Sequence, residues 1–326
     1  MVTDKDIEQA VAVLREGGLV AFPTETVYGL GADASNPLAV RKLFEAKGRP
    51  ATHPVIVHLA DAVQLANWAR EIPPAAQRLA KKFWPGPLTL ILRRVSNVSD
   101  LVTGGQETVA VRVPSNPVAQ QLLARFGDGI AAPSANRHGR VSATTAEHVR
   151  REFGTAVDCV LDGGAAQVGI ESAIVDLSRG SPALLRPGSI SAAEIESVLG
   201  VSLVAHAGDA PRAPGTLAAH YAPQTPLMLT EGDLALELAA SLLRQGKRVA
   251  VLAYSAHRSV LQGLEWIAAP RDAAGYAHEL YASLRRLDEL GCDAILVEKP
   301  PQTPAWAAIN DRLARAAAGS PASDEI

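Results

Sequence analysis

Cysteine is nearly absent from this 326-residue chain: there are two, Cys159 and Cys292, far apart in probable strands. They imply buried thiols in a reducing compartment rather than a disulfide framework or a metal centre, and no His/Cys group has zinc spacing. An excess of charge of one sign is also missing. The formal net charge is −3, so no overall basic field draws in nucleic acid, although local basic patches remain open. No apolar run approaches the ~20 residues that span a bilayer. The amino-terminal MVTDKDIEQA is polar and acidic, unlike a signal peptide, and we expect a cytoplasmic protein with no membrane partner. Two common nucleotide motifs are missing as well. There is no Gly-x-x-x-x-Gly-Lys-Ser/Thr loop and no Gly-x-Gly-x-x-Gly after a strand, which argues against P-loop and nicotinamide enzymes. With 48% hydrophobic and 20% charged residues, the chain reads as an ordinary globular protein long enough for two domains.

The densest stretch that is present is GGLVAFPTETVYGLG, residues 17–31. An apolar strand at 19–22 ends at Pro23, which cannot donate to a ladder. Thr24, Glu25, Thr26 and Tyr28 follow at once. Hydroxyls and glycines at a strand's carboxyl end put donors and bare backbone where open α/β sheets bind ligands. Upstream, residues 4–16 read as a helix with Ile7, Ala10, Val11 and Leu14 on one face. Asn36-Pro37 is a helix start, and that helix ends at Lys47-Gly48. Strands are predicted at 55–59, 88–92, 109–113 and 170–177. In the first of these His58 points away from the valine face, and in the third so does Arg112. Thr144-x-x-Glu147 and Ser191-x-x-Glu194 read as capping boxes. Composition shifts near Val204. Residues 205–226 are rich in Pro, Gly and Ala and read as a linker, with a His220-Tyr221 pair denser in chemistry than a tether needs. Beyond it, strands at 227–229, 248–253 and 294–297 alternate with helices, as in a small three-layer α/β domain. The small polar tail after Ala318 should fray.

Several residues could carry chemistry. Lys47 and Arg49, on a turn fixed by Gly48 and Pro50, suit a polyphosphate; a solvated helix end is the plain alternative. Ser134-Ala-Asn136 follows a short apolar strand and Pro133, and taken alone it is better read as a loop or helix cap. Arg112 on a valine-rich strand requires an anion, either an internal carboxylate such as Glu171 or a ligand. A histidine such as His58 is more often a satisfied structural residue than a catalyst, but its strand face matches that of a site wall. Arg186-Pro187-Gly188 ends the first domain's last strand, as a turn or a third phosphate-binding cation.

Taken together, PTETVYGLG, Lys47-x-Arg49, HPVIVH, Ser134-x-Asn136, GIESAIVD, RPG and PGTLAAHYAP occur in the order seen in threonylcarbamoyl-AMP synthases of the longer, two-domain type, which the chain resembles over nearly its whole length. The resemblance implies a YrdC-like twisted mixed sheet with a concave cavity over 1–204, a linker at 205–226 that reaches over the active site as a lid, and a smaller Rossmann-like α/β domain over 227–326. It implies an enzyme that joins L-threonine, bicarbonate and ATP into threonylcarbamoyl-adenylate and pyrophosphate. Magnesium would be held mainly by phosphates, and a tRNA threonylcarbamoyl-transferase complex would act downstream.

By motif position, the resemblance implies threonine contacts at Thr26, His58, Arg112, the Ala132 backbone and Ser172. ATP contacts are implied at Lys47, Arg49, His53, Thr108, Ser134, Asn136, Ser142, Arg186 and Tyr221, with Lys47, Arg49, Ser134 and Asn136 closest to catalysis. His53 stands where many relatives have Asn, and Ala173 where a threonine is common. Two rival readings are a carbamoyl-adenylate-forming YrdC-like enzyme and an RNA-binding module, weak RNA binding being compatible with either reading. The first would sit beside zinc-finger and acylphosphatase segments, which this chain lacks; the second is opposed by the net charge and the want of aromatic–basic stripes.

Overall fold

The computed structural model describes residues 2–204, 210–232, 234–255 and 263–320. Helix Asp4–Arg15 starts at a capping box between Thr3 and Asp6 and buries the predicted face of Ile7, Ala10, Val11 and Leu14. Its neighbours in sequence begin the sheet: β1 (Val20–Phe22), β2 (Gly29–Asp33), β3 (Ile56–His58), β4 (Leu88–Arg93), β5 (Thr108–Arg112), β6 (Ile130–Ala131), β7 (Cys159–Val160), β8 (Ala173–Asp176) and β9 (Ala183–Arg186). They form one mixed nine-stranded sheet in the order β7-β1-β2-β6-β3-β5-β4-β8-β9. The strand expected over 170–177 is shorter, and its first residues, 170–172, run as loop ahead of β8.

Alternation in β3 and β5 divides the sheet into two chemically different faces. Val57, Val109, Val111 and Val113 point into the main core with Leu88, Leu90, Leu92 and Val175. Ile56 and Ala110 point the other way, into a small apolar cluster with Ile91, Ile174 and Leu185. His58 and Arg112 fall on that second face and are register partners. One polar end and one apolar floor therefore come from the same pair of strands.

Helix Pro37–Lys47 begins as predicted, with Asn36 accepting from Leu38 and Ala39 amides, and ends at Gly48 in the left-handed region (φ 63°). The box at Ser191 and Glu194 forms. The other does not: the cap of helix Ala146–Phe153 is Thr145, accepting from the His148 amide. Adjacent threonines offer equivalent hydroxyls, and the extended backbone of Thr145 decides between them.

The described residues divide into two compact units, 1–138 with 143–216 and 139–142 with 217–326. Of the expected linker, 205–209 lie outside the described residues; 210–216 fall in the first unit and 217–226 in the second. The tail residues 321–326 are likewise outside. The second unit holds β10 (Leu227–Thr230), β11 (Val249–Ala253), β12 (Leu264–Ala268) and β13 (Ala294–Glu298), all parallel, in the order β10-β13-β11-β12. Long helices Leu234–Arg244, Ala273–Glu289 and Ala307–Ala318 accompany them. Both cysteines are free; Cys159 starts β7, while Cys292 precedes β13 rather than lying in it. Among the described residues no helix is long and apolar enough to cross a membrane.

Candidate active site

Arg112 organises one end of the polar face. Its Nη2 lies 2.7 Å from Glu25 Oε1, with both side chains about 95% shielded from water (4% and 5% exposed). Its Nη1 donates to Thr26 Oγ1 at 2.8 Å and its Nε to the Gly86 carbonyl at 3.2 Å. The anion that Arg112 requires is thus Glu25, not the Glu171 offered by the sequence. The contact is an ion pair without an aligned hydrogen bond, so Nη2 and Oε1 each keep capacity for a ligand. Glu25 is itself fixed, because its other oxygen accepts from the Ser115 amide at 3.0 Å. Thr26 passes the arrangement on: its hydroxyl lies 2.8 Å from that of Thr24, which donates to the Val27 carbonyl. Tyr28, grouped with these hydroxyls in sequence, turns away and donates to the Gly164 carbonyl.

His58 stands beside Arg112 in register. Burial, and then the neighbouring guanidinium, hold its pKa down at about 3, so the ring is neutral at physiological pH. Its Nδ1 is buried with no hydrogen-bond partner, the kind of orphan that a ligand satisfies. Ala132 adjoins this end, its amide donating to the Ile56 carbonyl. Ser172 joins from the loop before β8, with its hydroxyl 2.8 Å from that of Thr89. Arg186 lies on Ser172, donating to its carbonyl (3.1 Å) and hydroxyl (3.2 Å), and also to the Pro214 carbonyl (2.8 Å). Close approach makes this possible. A Cβ on Gly188 would sit 2.2 Å from the Ala173 amide nitrogen.

The other end is cationic. Lys47 is buried, not splayed into solvent, and its Nζ donates to the Ser134 carbonyl at 2.6 Å and to the Asn136 carbonyl. Burial and then Arg49 push its pKa well down, and Glu152 opposes them. Arg49 donates to the Pro54 carbonyl at 2.9 Å. Thr108 begins β5, four residues from Arg112 and so roughly 13 Å along the strand. Segment 132–136 links the two ends, Ala132 hydrogen-bonded to Ile56 and Ser134 bridged to Gly29. His53 is half-buried near Arg49. His138, which sequence reasoning missed, lies with it, their ring centroids 5.4 Å apart. The signal in the sequence was its place two residues after Asn136.

Ser142 and Tyr221 belong to the second unit. The Ser142 carbonyl accepts from Arg285 Nε at 3.2 Å. Tyr221, at φ 61°, is 1% exposed, stacks on Tyr281 and lies under the Arg312 guanidinium. Among the described residues no group of three or more His, Cys, Asp or Glu is arranged to hold a metal.

A mixed sheet carrying a buried arginine–glutamate pair and a neutral histidine at one end, and a lysine–arginine turn at the other, defines a YrdC-like α/β protein. Residues 12–188 match the Sua5/YciO/YrdC family described as "Telomere recombination", and residues 190–318 match "Threonylcarbamoyl-AMP synthase, C-terminal domain". The threonylcarbamoyl-AMP synthase of Pyrococcus abyssi is 41% identical over 324 residues, covering 95% of this chain and 93% of its own. That of Bacillus subtilis is 42% identical, with 97% and 94% covered. A crystal structure of P. abyssi Sua5 complexed with L-threonine superposes with a TM-score of 0.91 at 39% identity, covering 98% of this chain and 96% of that one. The chain belongs to the threonylcarbamoyl-AMP synthase family, whose members are enzymes of the nucleotidyltransferase type.

Proposed function

We propose that the chain makes threonylcarbamoyl-adenylate from L-threonine, bicarbonate and ATP, releasing pyrophosphate, and supplies it in the cytoplasm to a transferase complex that modifies an adenosine beside the tRNA anticodon. The observation that carries this reading is the separation of a buried arginine–glutamate pair from a lysine–arginine turn. Arg112, restrained by Glu25 and Thr26, suits an amino-acid carboxylate. The orphaned Nδ1 of neutral His58, the Ala132 backbone and Ser172 supply uncharged hydrogen bonds around the rest of the amino acid. Lys47, Arg49, His53 and Thr108, with Ser134 and Asn136, suit phosphates about a strand's length away, and Arg186 adjoins Ser172.

In the reaction the amine attacks the bicarbonate carbon, the C–OH bond breaks and water leaves with one amine proton to give a carbamate, whose oxygen then attacks the α-phosphorus as the bond to pyrophosphate breaks. Both steps join anions, so orientation and charge neutralisation dominate and no side-chain nucleophile is required. The cluster's side chains are cations, hydroxyls, an imidazole and one amide rather than carboxylates, so magnesium would enter on the phosphates. A carbamate is labile in water, so the site must exclude solvent while it lasts. Pyrophosphate release from ATP with magnesium tests the reading. Release that needs both L-threonine and bicarbonate is the expected result. Release with carbamoyl-phosphate instead would move the chain to carbamoyl-adenylate chemistry, and salt-sensitive RNA binding with no release would favour the binding module.

A further inference from the structure

Resting on the nucleotide reading above, we propose that His138 is a further contact for the triphosphate, and that it and His53 take up protons as that anion binds. The two rings are held in place from the backbone. The His138 amide donates to the Lys47 carbonyl at 2.8 Å, and the His53 amide to the Pro50 carbonyl at 3.0 Å, one residue beyond Arg49. Their centroids are 5.4 Å apart with the planes inclined by 52°. Each ring is half-buried.

The charged side chains acting on the pair are cations: Arg49 on both rings, Arg212 on His53 and Lys47 on His138. Lys47 and Arg49 lie on the helix end and its turn, Arg212 on the segment near His53, and Arg137 next to His138 in the chain. Glu152 on helix Ala146–Phe153 acts on Lys47 in the opposite sense, and it accepts from the Arg137 amide at 3.0 Å. In this field both imidazoles are neutral. Burial, then Arg49, lowers each, His138 to about 4. A polyphosphate reverses the sign of the local potential. The same burial that disfavours a lone imidazolium strengthens its attraction to a phosphate beside it. Four cationic groups can then surround an anion that carries several charges, two of them charging only when it is present.

The test is calorimetric titration of the full chain with ATP in two buffers of different ionisation enthalpy, at pH 6.5 and pH 8. We expect net uptake of roughly half to one proton per nucleotide at pH 6.5, less at pH 8. His138→Asn, which keeps a hydrogen-bonding group but cannot titrate, should lose part of that uptake and weaken ATP about 3- to 10-fold at pH 6.5, with a smaller effect at pH 8. Adding His53→Asn should leave only the protonation of ATP itself. Uptake in His138→Asn equal to that of the wild type, or wild-type binding with no uptake at either pH, overturns the inference while leaving the nucleotide site intact. Absence of ATP binding by the wild type overturns both. Melting temperature, read alongside, identifies a variant that has lost its fold, and His138→Gln then takes its place in the titration.

Discussion

A guanidinium held by oxygens on three of its sides meets its substrate already oriented. Glu25, Thr26 and Gly86 do this for Arg112. Arg112→Ala should therefore raise the threonine requirement sharply, by the equivalent of ~2–5 kcal/mol; unchanged threonine affinity would remove Arg112 from the site. Glu25→Ala tests the other half of the pair. It leaves a buried cation uncompensated and should cost about 3–5 kcal/mol of stability, read as a large fall in melting temperature, with Glu25→Gln intermediate. His58 carries a pH signature. Its folded pKa of about 3 lies below the unfolded value near 6.5, so the unfolded chain binds the extra proton between them. Its contribution is fully present above pH 6.5 and is lost as pH falls toward 3, at up to about 1.4 kcal/mol per unit. Denaturant titrations at pH 7 and 5 should show a smaller acid loss in His58→Gln. The need for an anion at Arg112 was legible from its valine-rich strand. The partner was not, because Glu25 sits in an aperiodic run of hydroxyls where no spacing points across to β5.

Among the elements, periodicity was the reliable guide. β3, β4 and β5 fall within a residue or so of their predicted spans, since alternation over a buried face leaves little freedom of register. Where a loop replaces a strand, as at 170–172, the cause is chemical: Ser172 is drawn into bonds with Thr89 and Arg186 instead of the ladder. The turn after β9 depends on a missing side chain. Gly188→Ala would press a methyl against the backbone of Ser172 and Ala173, and should destabilise by about 1–3 kcal/mol while also lowering turnover; a variant with wild-type melting and activity would show that this turn has slack. Helix Pro37–Lys47 delivers Lys47 to two carbonyls of the 134–136 segment. Lys47→Ala should cripple pyrophosphate release with the fold retained by circular dichroism, and normal turnover would refute its role.

At the scale of the molecule, composition marked the change of character near Val204 but could not show that residues 139–142 belong with the second unit, because that assignment depends on contacts far apart in sequence. The Gly139 carbonyl accepts from the Ala222 amide, and Arg285 donates to the Val141 and Ser142 carbonyls. Deleting everything after Val204 removes all of these partners from the loop that carries Ser142. We expect the truncated chain to lose most of its pyrophosphate release, and full activity would make the remainder a passive appendage.

The chain thus enters its second unit twice, once briefly through 139–142 and once for good from Leu217. Produced as two separate polypeptides divided after Val204, the protein would be a case of fragment complementation. The shorter piece would find four residues of its own fold on the longer one, and the two should purify together under native conditions and part in denaturant.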